Sequence, residues 1–270
     1  MQAFFDVKQR TARAVRLLFL TTLISAAPAV IHAQEDSQRE PERITEPNLS
    51  VAEAPRQNLS GLEWLERLAQ INRTSNFEVS FVLTRAGQEM TPYLWRHAVL
   101  EDGLEAEQLN LQNGPGQEMI RLGNVVSVFE PDVQPYSIYA SAISGPLPSD
   151  LLYNPTALSD AYQFITIGRT RVSGRAAQQL RIVSRDNKRY NYQVWLDEET
   201  GMLLKLDMVD LQGSLLEQIQ VTAVNVSEQP SPYFSRINPQ ALPGAVAMTP
   251  KPRQHQWEVK FLPVGMEEIK

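Results

Sequence analysis

Cysteine is missing from all 270 residues, and only three histidines occur. The first absence excludes disulfides, thiol catalysis and a lipid-modified N-terminal cysteine. Past the leader the histidines are His97 and His255, on different segments and without acidic partners at metal-ligand spacing. A zinc site or a Ser–His–Asp constellation is therefore not expected, and no cofactor is implied. His97 continues the face of Tyr93 and Trp95 and is expected to be a packed or edge residue. A phosphate loop is also lacking. Asn113-Gly114-Pro115-Gly116 has no following Lys-Ser/Thr and leads into strand-like sequence, so it reads as a hairpin turn. The acids Asp197, Glu198 and Glu199 read as solvated turn residues, with nothing nearby to separate their proton affinities.

No apolar run is long enough to cross a bilayer, which takes roughly 20 residues. What stands at the start is a secretory signal over residues 1–33. Lys8, Arg10, Arg13 and Arg16 form the basic region, Leu17 to Val30 the short apolar region, and Ala33 the small residue before cleavage. The net charge of −6 becomes −9 once those four bases and Asp6 are removed. That acidity argues for solubility and against nucleic-acid binding. A secreted chain without disulfides fits a bacterial periplasm better than an animal extracellular space.

Residues 34–57 are rich in Glu, Arg, Pro and Ser without apolar period and read as a disordered leader. The folded part is expected over 58–227. Ser60 and Glu63 have capping-box spacing ahead of a helix, through about Asn72, whose face carries Leu62, Leu65, Leu68, Ala69 and Trp64. Then comes a long series of alternating segments. Phe77, Val79, Phe81 and Leu83 form one, and Tyr93, Trp95, His97 and Val99 the next. Glu105 to Gln112, Gln117 to Leu122 and Val125 to Glu130 follow, with turns between them. Prolines at 131, 135, 146 and 148 interrupt the pattern. Short helices are expected at Ser149 to Tyr153 and Thr156 to Tyr162. The series resumes with strands at Phe164 to Val172, Ala176 to Arg185, Arg189 to Asp197, Leu203 to Asp210 and Ser214 to Asn225. Such short turns suit only an antiparallel meander. The fold class is mainly β (α+β). About ten strands in one sheet must twist and curl rather than lie flat, so the expected body is a large curled antiparallel sheet, a half-barrel, packed over a few helices. Residues 228–253, with six prolines, read as a linker. Residues 254–270 read as the stub of a further domain.

Two groups of residues invite a functional reading. Arg169, Arg171, Arg175, Arg181, Arg185, Lys188 and Arg189 crowd one stretch opposed only by Asp186. Either they are outward residues that keep the sheet soluble, or they accept an acidic peptide or a phosphorylated lipid head. Of these, Arg169, Arg171, Arg181, Arg185 and Arg189 are the candidate anionic site. The apolar candidates are Phe77, Val79, Phe81, Tyr93, Trp95, Leu109, Leu111, Phe129, Tyr192 and Trp195. They serve equally as core or as the lining of a pocket for acyl chains.

The segments Tyr93-Leu94-Trp95-Arg96-His97-Ala98, Gly123-Asn124 through Phe129-Glu130-Pro131, Gly168-Arg169-Thr170-Arg171-Val172 and Arg185-Asp186 through Tyr192-Gln193-Val194-Trp195-Leu196-Asp197 resemble the RseB/MucB family. The resemblance runs from about Leu59 to Asn225 and resumes at Trp257 to Gly265. It implies an N-terminal domain similar to the lipoprotein carriers LolA and LolB, with an apolar cavity. It also implies a periplasmic negative regulator of the sigma-E envelope-stress response, which grips the periplasmic domain of the anti-sigma factor (RseA/MucA type) and shields it from proteolysis. Lipopolysaccharide or lipoprotein acyl chains are the implied releasing ligands. The family's second domain is nearly all missing from this sequence, which puts the grip on the anti-sigma factor in doubt. The rival reading is a periplasmic lipoprotein or lipid carrier without anti-sigma binding; a hydrolase has no constellation to support it. Self-association is left open.

Overall fold

A computed structural model describes residues 58–246 and 259–262. The expected signal, the whole of the expected leader and most of the stub fall outside these residues.

Helix α1 (Gly61–Thr74) begins as its sequence dictates. Ser60 Oγ accepts the Glu63 N–H at 3.3 Å, and the Glu63 carboxylate accepts the Ser60 N–H at 2.6 Å. Two otherwise unpaired donors of the first turn are thereby satisfied. Trp64, Leu65, Leu68, Ala69 and Asn72 form its buried face. Gly61 abuts strand backbone: a Cβ there would lie 2.9 Å from the Phe164 carbonyl carbon. Glycine is what allows the helix to start this close to the sheet.

The first run of strands is β1 (Asn76–Arg85), β2 (Thr91–Val99), β3 (Glu105–Leu111), β4 (Glu118–Leu122), β5 (Val125–Phe129) and β6 (Tyr136–Tyr139). Helix α2 (Ser149–Tyr153) and a 3-10 turn (Pro155–Leu158) separate it from β7 (Tyr162–Val172), β8 (Arg175–Ser184), β9 (Asn191–Asp197), β10 (Leu203–Val209) and β11 (Leu215–Ser227). A short β12 (Ala245–Val246) closes the series. Among the described residues these twelve strands form one sheet, ordered β12-β6-β5-β4-β3-β2-β1-β11-β10-β9-β8-β7. Two meanders are thus joined side by side through β1 and β11, and all pairs are antiparallel except β12 with β6. The sheet curls. Ser173 at the β7–β8 turn donates to the Val221 carbonyl of β11 at 2.6 Å, although three strands separate β7 from β11 in the sheet order.

The main core lies between one sheet face and the helices. Leu65 and Leu68 of α1 and Leu151 and Leu152 of α2 meet Phe77, Phe81, Leu180, Leu196, Leu206 and Ile219. Each such side chain contributes roughly 1.5–3 kcal/mol through burial, which a 14-residue helix, marginal alone, requires.

Three expectations differ from the structure. Strand β6 forms inside the proline-interrupted stretch, because Pro131 and Pro135 stand before it rather than in it. The helix expected over Thr156 to Tyr162 is only the 3-10 turn, and β7 already starts at Tyr162. Residues expected to begin a linker instead run as a strap across the other sheet face. Phe234 packs on Ala98 and Ala106, Tyr233 donates to Glu118 at 2.8 Å, and Ser137 donates to the Pro243 carbonyl at 2.8 Å. The strap ends by adding β12 to β6. The remainder of the expected linker lies outside the described residues.

Candidate functional site

A cavity of about 370 Å³ opens between the short helices and the second meander, within the ~300–1,000 Å³ range of small-ligand sites. Leu151 of α2 and Ala157 and Leu158 of the 3-10 turn form one wall; Tyr162, Ile182 and Tyr192 form the other, with Arg189 at the edge. Burial pushes the Tyr162 hydroxyl up to about 12, with Tyr192 adding to the shift, and burial likewise raises Tyr192. Both phenols therefore stay neutral at ordinary pH. Their rings meet edge to face at 6.1 Å. The lining is mainly apolar, with Ser149, Asp150 and Arg189 as its other polar members.

Of the ten apolar candidates, Tyr192 borders this cavity. Phe77, Val79, Phe81, Trp95 and Leu109 are packed into the core, with Tyr93 half-buried against it. Phe77 meets Trp95 edge to face at 4.7 Å, and Phe81 stacks on Tyr93 at 5.2 Å. Trp95 and Leu109 border a second void of only about 20 Å³. Leu111 is half-buried opposite Tyr93. Phe129 and Trp195 leave the set. Val126 and Val128 belong to the core, so alternation puts Phe129 on the strap side, paired with Glu118. Val194 and Leu196 face the core, whereas Trp195 sits in a separate cluster with Val172, Ala177 and Leu204 and carries Lys205 over its ring at 4.4 Å. The cavity walls from Leu151 to Leu158 were missed because their loop has no period to read.

The arginines do not form one patch. A β-bulge between Thr166 and Gly168 shifts the register of β7 on β8. It places Arg169 opposite Gln178 and Arg171 opposite Ala176, on the parity of core-facing Leu180, whereas Arg181 has the opposite parity. Arg169 pairs with Glu198 at 2.8 Å. Arg185 donates to the Ser159 and Tyr162 carbonyls, each at 3.0 Å, and so fastens the loop before β7. Arg189 pairs with Asp186 at 2.8 Å. Arg175 makes two bonds to Asp197, at 3.0 and 2.7 Å. Burial would raise the Asp197 carboxyl, but Arg175 and Thr200 outweigh it and hold it below the ordinary range. The turn acids, expected to be solvated, are thus partners of the basic cluster; only Glu199 stays largely exposed.

A buried polar network that no motif announces sits beneath β2–β4. Glu107 accepts from Trp95 Nε1, Tyr153 OH and Arg121 Nε, each at 2.8 Å. His97, fully buried, places Nδ1 2.7 Å from the Ser75 carbonyl and stacks on Phe77 at 5.3 Å. The Tyr153 bond ties α2, a wall of the cavity, to the sheet. Among the described residues no group of three or more His, Asp or Glu is placed to hold a metal ion.

Fold and cavity define a sheet-and-helix scaffold with a ligand-sized hollow beneath its short helices. A profile of the MucB/RseB N-terminal domain matches residues 60–246. The Sigma-E factor regulatory protein RseB of Escherichia coli K12 is 32% identical over 207 residues, covering 76% of this chain and 64% of that protein. The Sigma factor AlgU regulatory protein MucB of Pseudomonas aeruginosa is 29% identical over 212 residues, covering 75% and 62%. In the complex of Pseudomonas aeruginosa MucA and MucB, a matching chain superposes with a TM-score of 0.53 at 28% identity, covering 66% of this chain and 61% of that one. The chain belongs to the MucB/RseB family. The matched part spans somewhat less than two thirds of the length of these two curated relatives.

Proposed function

We propose that this protein is a periplasmic negative regulator of the sigma-E envelope-stress response. It binds the periplasmic segment of a membrane-bound anti-sigma factor and senses mislocalised lipid or lipoprotein through the cavity under α2. The observation that carries the reading is the match of 187 consecutive residues, 60–246, to the regulatory family. A relative solved together with MucA supports the kind of partner. The cavity of about 370 Å³, with neutral Tyr162 and Tyr192 in its wall, supports an acyl ligand. The basic leader before Leu17 supports export. A pull-down with the anti-sigma periplasmic segment, with and without lipopolysaccharide, tests both halves. Retention of the segment and its release by lipopolysaccharide are expected. Failure to retain it overturns the regulatory reading, and retention indifferent to lipid overturns the sensing half.

A carrier of lipoproteins or lipids remains the second reading, because the cavity alone would serve it. Transfer of labelled lipid between two vesicle populations, without anti-sigma binding, would favour the carrier.

A further inference from the structure

Strand β7 ends the sheet order, so one side of its backbone has no strand partner among the described residues. The strand is 11 residues long, and its second half is mostly exposed. A long edge of this kind is a template for another extended chain, and proteins usually blunt it with charge or a bulge. Here both devices are present. The bulge falls at Ile167, which is exposed. The charged residues of the strand itself are both basic, Arg169 and Arg171 toward the helix side, and Arg181 on the next strand points toward the other. No acidic residue occurs between Tyr162 and Val172. Arg169 is engaged by Glu198. Arg171 and Arg181 are exposed and carry no ion pair among the described residues.

Positive charge on both faces of an edge, Arg171 on one and Arg181 on the other, neither in an ion pair among the described residues, selects its occupant. A second copy of β7 would bring arginine against arginine, and like charges on neighbouring strands are destabilising. A neutral strand would gain backbone bonds alone. An acidic strand gains those bonds and meets Arg171 and Arg181 as well. We infer that the Ile165–Val172 edge of β7 is a docking site at which an extended acidic segment of another protein adds as a further strand. Helix α1, lying against Phe164, sets the limit of the site at that end. This inference goes beyond the regulatory reading and does not depend on it.

The test uses a synthetic eight-residue peptide repeating Glu-Glu-Val-Val, which puts carboxylates on both faces of a strand, and the same peptide N-methylated at alternate residues in each of the two phases. Hydrogen exchange of the full chain is followed at millimolar peptide. Slower exchange confined to β7 amides is expected. One of the two N-methylated phases should lose it, because strand addition needs the donors on one side of the peptide. Arg171→Glu with Arg181→Glu, both at exposed sites, should weaken binding at least tenfold and flatten its salt dependence, with an unchanged circular dichroism spectrum. Binding that tolerates both N-methylated phases, or protection that falls elsewhere, overturns the proposal. Because no anti-sigma segment is used, its failure leaves the pull-down result untouched.

Discussion

Glu107 and Arg121 face one another across β3 and β4 with their charged groups 2.8 Å apart and both side chains at most 4% exposed. Burial opposes the Arg121 charge, and Glu107 more than offsets it, so the guanidinium stays firmly protonated. A buried pair gains little net stability but is costly to break, because the survivor is left as an uncompensated charge. Arg121→Ala is expected to cost about 3–5 kcal/mol. Glu107→Leu with Arg121→Met should cost less than that single change. Urea unfolding midpoints of the three chains decide it; a double variant worse than the single would show that hydrogen bonding to Trp95 and Tyr153 dominates.

His97 makes stability depend on pH. Burial lowers its proton affinity; the Ser75 carbonyl and the acids Glu107 and Glu105 oppose the shift, and Arg121 reinforces it. The folded state therefore binds the proton less readily than the unfolded state, whose histidine titrates near ~6.5. Stability present at pH 7 is lost as pH falls below about 6.5, and the loss levels off beneath the folded value. Asp197 adds a second loss at more acid pH, below about 3.9, because its folded proton affinity is also depressed. Unfolding midpoints between pH 7 and 5 should fall for the parent and stay nearly flat for His97→Gln.

Gly61 sets two effects against each other. Alanine is the better helix former by about 1 kcal/mol. Its Cβ would lie 2.9 Å from the Phe164 carbonyl carbon, and overpacking of this kind costs roughly 1–3 kcal/mol. Gly61→Ala is therefore expected to destabilise; a raised melting temperature would mean that α1 slides away from β7 at little cost.

Ala157 is exposed and borders the cavity. Ala157→Trp should obstruct the opening while leaving stability within about 0.5 kcal/mol, as for most surface changes. Titration with a fluorescent fatty acid should show at least tenfold weaker uptake. Equal uptake would place the acyl site elsewhere.

Phe234 measures how firmly the strap is attached. It is 5% exposed against Ala98 and Ala106. Phe234→Ala should cost about 3 kcal/mol, the low end for such a truncation because the cluster is thin. Cleavage between 235 and 246 by a broad-specificity protease should then outpace cleavage in the sheet. If residues 228–246 behave as a linker, the parent chain will be cut there equally fast.

The strands were legible because Phe77, Val79, Phe81 and Leu83 alternate, and so do Leu180 and Ile182; period two is visible in a single chain. The capping box at Ser60 was legible for the same local reason. Phe129 and Trp195 were misplaced on the cavity side because residue type alone does not say which parity faces the core. The arginine cluster was divided by the bulge after Thr166, which shifts parity without any proline or turn to mark it. Glu107 and Arg121 occupy core-facing positions that sequence assigns to apolar residues, and only the pairing of β3 with β4 shows that each answers the other. Phe234 lay among prolines, where no period exists to reveal that a side chain is buried.

The parallel attachment of Ala245–Val246 to β6 also has a mechanical meaning. Tension applied to the chain beyond Val246 falls first on two residue pairs and the Ser137–Pro243 bond, then on the Phe234 anchor. Those parts are held by fewer bonds than the long strands and are expected to yield before load reaches them. The strap is a fuse between any pull applied at Val246 and the sheet whose far face carries the cavity.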